Sequence, residues 1–429
     1  MSLELRAGWS SADITPPDGT HLGGYWGRTS GSTKVLDRLQ AKALVLSDGE
    51  TSVALLVLDV VALAAADVRV IRDRIAAATG ISQRAVMVCC THTHAGPLTL
   101  AFRGMGEMDT DYMDRLRDTA VSAIATASEN QEPVTLRHVQ APVQIGRNRR
   151  NPDGPVSTCA HVLEIAAAAG KAIVFSHACH PVVMGPSNHG ISAEFPGAAA
   201  RVLEEAGVSL ALFVNGACAD INPRITNGTH HQVNELGGEL GRAVLEALHQ
   251  DGVEVCAGAV AARQEIVSLP LLESPGRLSL SVQMMVLKAR ATAKRWLVGG
   301  NYWEQLVPRA YLQWARDAYD QKGVPNNGVS SFEIQGLRIG SVILLGMEGE
   351  IFIRYQLDLE RSSASGPIVL CGYANGCIGY VPTADEYEHG GYEVDEAYKV
   401  YPSARMISPD GEAIIRTTIT DLISALSSS

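Results

Sequence analysis

Short apolar runs alternate with helical periodicity through the first 250 residues of this chain. Residues 41–46 and 52–63 read as strands around an Asp48-Gly49 turn. A helix is predicted over about 66–78, closed by Gly80. Ala85-Val86-Met87-Val88-Cys89-Cys90 is a continuous apolar run, as expected of a strand covered on both faces. Over 109–129 the apolar positions Tyr112, Met113, Leu116, Ala120 and Ala123 fall on one helix face, and the acidic start suits the helix dipole. Strands follow at about 134–139, 160–166 and 171–178. A helix at 196–206, a strand at 208–214 and a helix at 236–249 complete this part.

The middle has a different pattern. Residues 253–287 read as strand-rich, with little helical periodicity. Residues 292–322 are helical and concentrate Trp296, Tyr302, Trp303, Tyr311, Trp314 and Tyr319, which read as core packing. Strands return at 332–339, 342–345 and 368–371, with a helix near 351–359 and an amphipathic helix at 411–426. The pattern defines an α/β class: a large mixed sheet with flanking helices, organised as one domain over 1–429 with a strand-rich and helical insertion at about 253–325.

Composition narrows the function. The 429 residues are 46% hydrophobic and 19% charged, enough for a large core. The formal net charge of -11, with no basic cluster beyond Arg147-Asn148-Arg149-Arg150, argues against nucleic acid and anionic membranes as partners. Eight scattered cysteines without a CxxC read as buried hydrophobes in a reduced compartment. The start lacks an apolar signal region, and no run reaches the roughly 20 residues of a membrane span. The expectation is a cytoplasmic protein without a transmembrane segment.

Candidate chemistry gathers just past predicted strands. His92 and His94 follow the Ala85 run. His177 and His180 follow Phe175. Asn215, Asp220 and Asn222 follow Val214. Glu348 and Glu350 follow Leu345, and Asn375 and Tyr380 follow Leu370. In open α/β sheets the carboxyl ends of strands border the ligand crevice. In extended chain, residues i and i+2 point the same way, so Thr91-His92-Thr93-His94 should present two imidazoles side by side. One could ligate a metal while its neighbour handles protons. Two imidazoles and a carboxylate match a hydrolytic zinc site, where the metal acidifies water and polarises a carbonyl. Glu348 and Glu350 compete for the carboxylate place. His177 and His189 read as structural, and His230-His231 as solvated in a polar loop.

These residues form an ordered set that resembles the neutral (non-lysosomal) ceramidase family. The matching pieces are Ala12-Asp13-Ile14-Thr15-Pro16, Thr91 to Pro97, Asn148-Arg149-Arg150, His180 with Met184, Asn215 to Pro223, Gly349-Glu350-Ile351-Phe352, and Tyr380 to Glu393. The resemblance implies a Zn2+-dependent amidase. Its zinc would be held by His92, His180, Glu350 and Tyr380. It implies His94 as general acid/base, Tyr392 as the oxyanion donor and Arg149 facing the site, with Asn215, Asp220 and Asn222 near a small-molecule N-acyl substrate, lipids among the candidates. It also implies a short homologue without a C-terminal immunoglobulin-like domain. Two departures weaken ceramide as the substrate: Ala219 and Asn222 replace a glycine and a serine, and Gly390 to Asp395 alters a motif expected at the acyl chain and headgroup. A metal-dependent esterase or lactonase, and a non-catalytic binding homologue, are the competing readings. Oligomeric state is not legible.

Overall fold

The computed structural model describes residues 4–26, 28, 30–250, 253–254, 260–296, 303–320, 328–362, 366–402 and 405–428, without the side chains of 253–254, 291–296 and 303–308. Tyr302 and the side chains of Trp296 and Trp303, expected in the core, lie outside that description.

The strands of the large sheet are β1 (Arg6–Asp13), β2 (Gln40–Ser47), β3 (Ser52–Leu58), β4 (Val86–Cys90), β5 (Glu132–Pro142), β6 (Cys159–Ala167), β7 (Gly170–His177) and β8 (Leu210–Asn215). Their spatial order is β8-β7-β6-β5-β1-β2-β3-β4, and the short strand Val253–Glu254 pairs with β5. The outermost pairs, β8 with β7 and β3 with β4, are parallel, while the pairs between them are antiparallel. A second sheet runs β9 (Val260–Pro270), β10 (Val329–Ile339), β11 (Val342–Met347), β12 (Ile368–Cys371), with β11 and β12 parallel.

Helices cover the large sheet. The helices α1 (Ala65–Thr79) and α2 (Thr110–Glu129) begin the cover. Gly80 at φ 77 ends α1, and the Asp109 carboxylate caps α2 by accepting from the Tyr112 amide. On the β7–β8 side lie α3 (Glu194–Glu205) and α4 (His230–Leu248), packed around Phe175, Phe195 and Phe213. The two helices approach closely because α4 carries Gly237, where a Cβ would meet the Phe195 carbonyl at 2.6 Å. His230 and His231 open α4 behind a Thr229–Gln232 capping box, correcting the polar-loop expectation. His230 pairs with Asp37 at 2.9 Å.

The insertion contains more helix than the sequence pattern implied. Strand β9 ends at Pro270, and α5 (Arg277–Trp296) follows where strand was expected to continue to 287. Helix α6 (Trp303–Tyr319) packs against it through Leu280, Trp314, Ala315 and Ala318. Helix α7 (Ile353–Ser362) precedes β12, and α8 (Gly411–Ser427) packs on the second sheet. Among the described residues no helix is long and apolar enough to cross a membrane.

The two sheets meet along β4. The Cys90 amide donates to the Tyr373 carbonyl at 3.1 Å, and the Asn375 amide to Val88 at 2.7 Å. Arg72 spans the same seam, donating to Val86 and, with two nitrogens, to Glu333. Strands β4, β7, β8, β11 and β12 therefore send their carboxyl-terminal loops towards one place.

Candidate metal centre

The seam holds a buried cluster of imidazoles around one carboxylate. Strand β4 stops at Cys90, and His92 takes a left-handed φ of 67. A non-glycine residue there stores strain of order 1 kcal/mol and needs surrounding structure to hold it. The anchors are the hydrogen bonds Thr91 N–H to Leu58 O at 2.9 Å and His92 N–H to Val60 O at 3.0 Å. The extended His-x-His geometry is thus corrected. The kink, not the pleat, turns the rings together, and His94 Nε2 lies 3.0 Å from His92 Nε2.

His180 comes from the loop after β7. Its backbone N–H donates to Ile221 O at 2.9 Å. His92 Nδ1 donates to Val61 O at 2.6 Å, and His180 Nδ1 to Cys218 O at 2.6 Å. Spending Nδ1–H on carbonyls turns both Nε2 atoms inward: His92 Nε2 presents its lone pair, and His180 Nε2, which faces Glu350, would present one on losing its proton to an incoming metal. The ligand atoms of His92, His94 and His180 all lie within 4.8 Å of one another.

Glu350 reaches the cluster from the second sheet. Its Oε2 is 3.1 Å from His180 Nε2 and 3.8 Å from His92 Nε2. Glu350 and Tyr380 are paired partners in a short parallel ladder, so their side chains share a face. Glu348 is directed elsewhere and accepts the Glu333 amide at 3.0 Å.

Two tyrosines that the sequence did not single out complete the setting. Tyr373 stacks on His92 at 3.8 Å and donates to Glu350 at 3.3 Å, while Tyr401 donates to the other carboxylate oxygen. Both were hidden because each sits in a stretch with no motif spacing, and only the three-dimensional seam brings them to Glu350.

The remaining candidates divide by place. Arg149 Nη2 donates to the Tyr380 hydroxyl at 3.0 Å, Nε to Glu393 at 2.8 Å and Nη1 to Asn222 at 3.3 Å. Tyr392 is 41% exposed, and its ring is 6.0 Å from that of Tyr380. Asn215 and Asp220 are buried. Asn215 donates to Thr91 O at 3.2 Å, and Asp220 accepts from Asn148 at 2.9 Å and the Ile353 amide at 2.8 Å. Both brace the loops that carry the histidines. His177 donates to Cys159 O at 3.2 Å, and His189 lies 3.3 Å from Ser30.

Burial sets the charge states. It pushes the His92 ring down to about 3, and His94 well below its ordinary value with help from the neighbouring imidazoles. Burial also opposes charge on His180, but the Cys218 side chain and Glu350 outweigh it and lift the ring to about 9. For Glu350 burial is overcome by His180 and His92, leaving the carboxylate at about 2. The Tyr380 phenol is held well above its usual value by burial and Glu350, with Arg149 opposing. His94 Nδ1 is buried without a partner.

Inward Nε2 atoms around an ionised carboxylate fit a divalent metal ion. The fold and the cluster define an α/β protein with a buried histidine–carboxylate centre at the carboxyl ends of its strands. Among solved structures the chain is similar to the neutral ceramidase from Pseudomonas aeruginosa, with a TM-score of 0.77 and 21% identity over 100% of this chain and 75% of that one. It is also similar to a ceramidase complexed with C2, with a TM-score of 0.75 and 20% identity over 99% of this chain and 75% of that one. These likenesses establish the ceramidase-like fold. No family model and no curated protein matches the chain.

Proposed function

We propose that this protein is a zinc-dependent hydrolase that opens an amide (N-acyl) bond. The observation that carries the reading is the convergence of His92, His180 and Glu350, with both Nδ1 atoms already committed to carbonyls. The ceramidase-like fold supports the same reading.

In this reading His92, His180, Glu350 and Tyr380 hold the metal. A bound divalent ion supplies an acidified water and a polarised carbonyl. His94, kept neutral by burial, takes a proton from the attacking water and hands it to the leaving nitrogen. Tyr392 donates its phenol hydrogen to the carbonyl oxygen as negative charge develops there. Arg149 anchors Tyr380 and contributes fixed positive charge beside it. Asn222 faces the substrate, while Asn215 and Asp220 hold the loops in place.

His94 has a second reading as a third imidazole ligand, because its ring belongs to the same tight group. The His94→Ala protein separates the two. Retained zinc with lost turnover supports the acid/base role, and lost zinc makes His94 a ligand. Elemental analysis with activity before and after chelation tests the function itself. Activity that survives removal of all metal contradicts it.

A further inference from the structure

Beside the proposed centre lies a cavity of about 750 Å³ lined mainly by charged and amide residues. Arg149 and Tyr392 line it together with Asn151, Asn222, Arg354 and Asp385. Its size suits a small-molecule ligand.

The inner charges of this cavity are already matched. Arg149 is held by Glu393, Asn222 and Tyr380. Arg150, on the same wall, donates to Glu386 at 2.8 Å and Glu393 at 2.6 Å. The outer rim differs: Arg354 and Asp385 are exposed and form no ion pair with each other or with any other described residue. The rim thus offers one charge of each sign, and the Asn151 and Asn222 amides line the same cavity.

Among the described residues, no Leu, Ile, Val, Met or Phe lines the cavity. The exposed apolar side chains Leu278, Val282 and Met285 lie on α5, and Tyr392 is the one exposed large apolar residue among those lining the cavity. A hydrocarbon chain seated here would forgo about 0.8 kcal/mol for each methylene left without apolar contact. It would also strip water from charged groups without replacing their hydrogen bonds.

We propose that the amine half of the substrate is small and hydrophilic, an amino acid or an amino sugar, and that it occupies this cavity with the acyl carbonyl beside Tyr392. The proposal rests on the amidase reading and gives it a substrate class. A sphingoid base does not match these walls.

The test uses the full chain, loaded with zinc, and three N-hexanoyl amides: of an amino acid, of glucosamine and of sphingosine. One hydrophilic amide should show a kcat/KM about a hundredfold above the sphingosine amide, since a hydrogen-bonding site discriminates strongly against a partner that cannot pair. Arg354→Ala should raise KM severalfold for the amino acid amide if its carboxylate is read at the rim, and Asn222→Ala should do so for the amino sugar. Zinc content should be unchanged in both variants. Equal or faster cleavage of the sphingosine amide overturns this inference and leaves the amidase reading standing. A hydrophilic preference unmoved by either substitution also overturns it, because the amine half then lies elsewhere. No turnover of any amide by zinc-loaded protein removes the amidase reading and this inference with it.

Discussion

His94 is the residue on which the proposed chemistry turns. Its ring is wedged between His92 and Tyr25, at centroid distances of 4.7 and 4.9 Å. Replacing it with alanine should lower kcat/KM on an amide by about 10²–10⁴-fold, the usual worth of a general acid/base, with zinc retained. Its place depends on Gly24, which has φ 89 and whose added Cβ would sit 2.4 Å from His94 Nδ1. Gly24→Ala should therefore displace the ring and lower both activity and thermal stability, as read by kinetics and calorimetry. Unchanged kinetics would mean the ring is not needed where it lies. Tyr401→Phe removes a donor to Glu350 and should weaken zinc affinity by about 10–100-fold in a competition titration. Glu348 gives a pH signature. Burial lifts its carboxyl from 4.5 to about 8, so the folded state holds a proton that the unfolded state releases. Its stabilising contribution is complete below about pH 4.5 and is lost as pH rises through about 8. Relative to Glu348→Gln, the natural protein should lose more than about 1 kcal/mol of unfolding free energy between those limits. A pH-independent difference in denaturant titrations would contradict this.

At the scale of elements, strand ends do the positioning. The apolar run before His92 announced β4, and the structure runs Val86–Cys90. What followed was not legible, because a left-handed residue leaves no periodic trace in the pattern. The choice between Glu348 and Glu350 was likewise open to spacing, since both follow β11. Pairing of Glu350 with Tyr380 in the short ladder turns Glu350 towards the imidazoles. Helix α5 was missed because Leu278, Val282 and Met285 leave apolar residues on its exposed face, 82%, 52% and 70% accessible, which blurs the amphipathic signal. Loop bracing carries its own prediction. Asp220 joins the Asn148 side chain to the first turn of α7. Asp220→Ala leaves those donors unpaired and should cost about 1–3 kcal/mol in a denaturant titration. A neutral effect would show that the loops hold without it.

Across the whole molecule, the alternation of short strands and helices was enough to place the chain in the α/β class. The order of strands was not, because β1 pairs with both β2 and β5 and no local signal encodes that choice. The seam between the two sheets was equally hidden. It depends on backbone hydrogen bonds from Cys90 and Asn375 that any sequence could supply, yet it is what unites His92 and His180 with Glu350. The zinc stoichiometry of the purified protein, dialysed in trace zinc and then read by elemental analysis alongside a Glu350→Gln, His180→Ala variant, tests this arrangement most directly. The account predicts about one zinc per natural chain and none in the folded double variant. A natural chain that stays metal-free in excess zinc, or a double variant that keeps its metal, would contradict it.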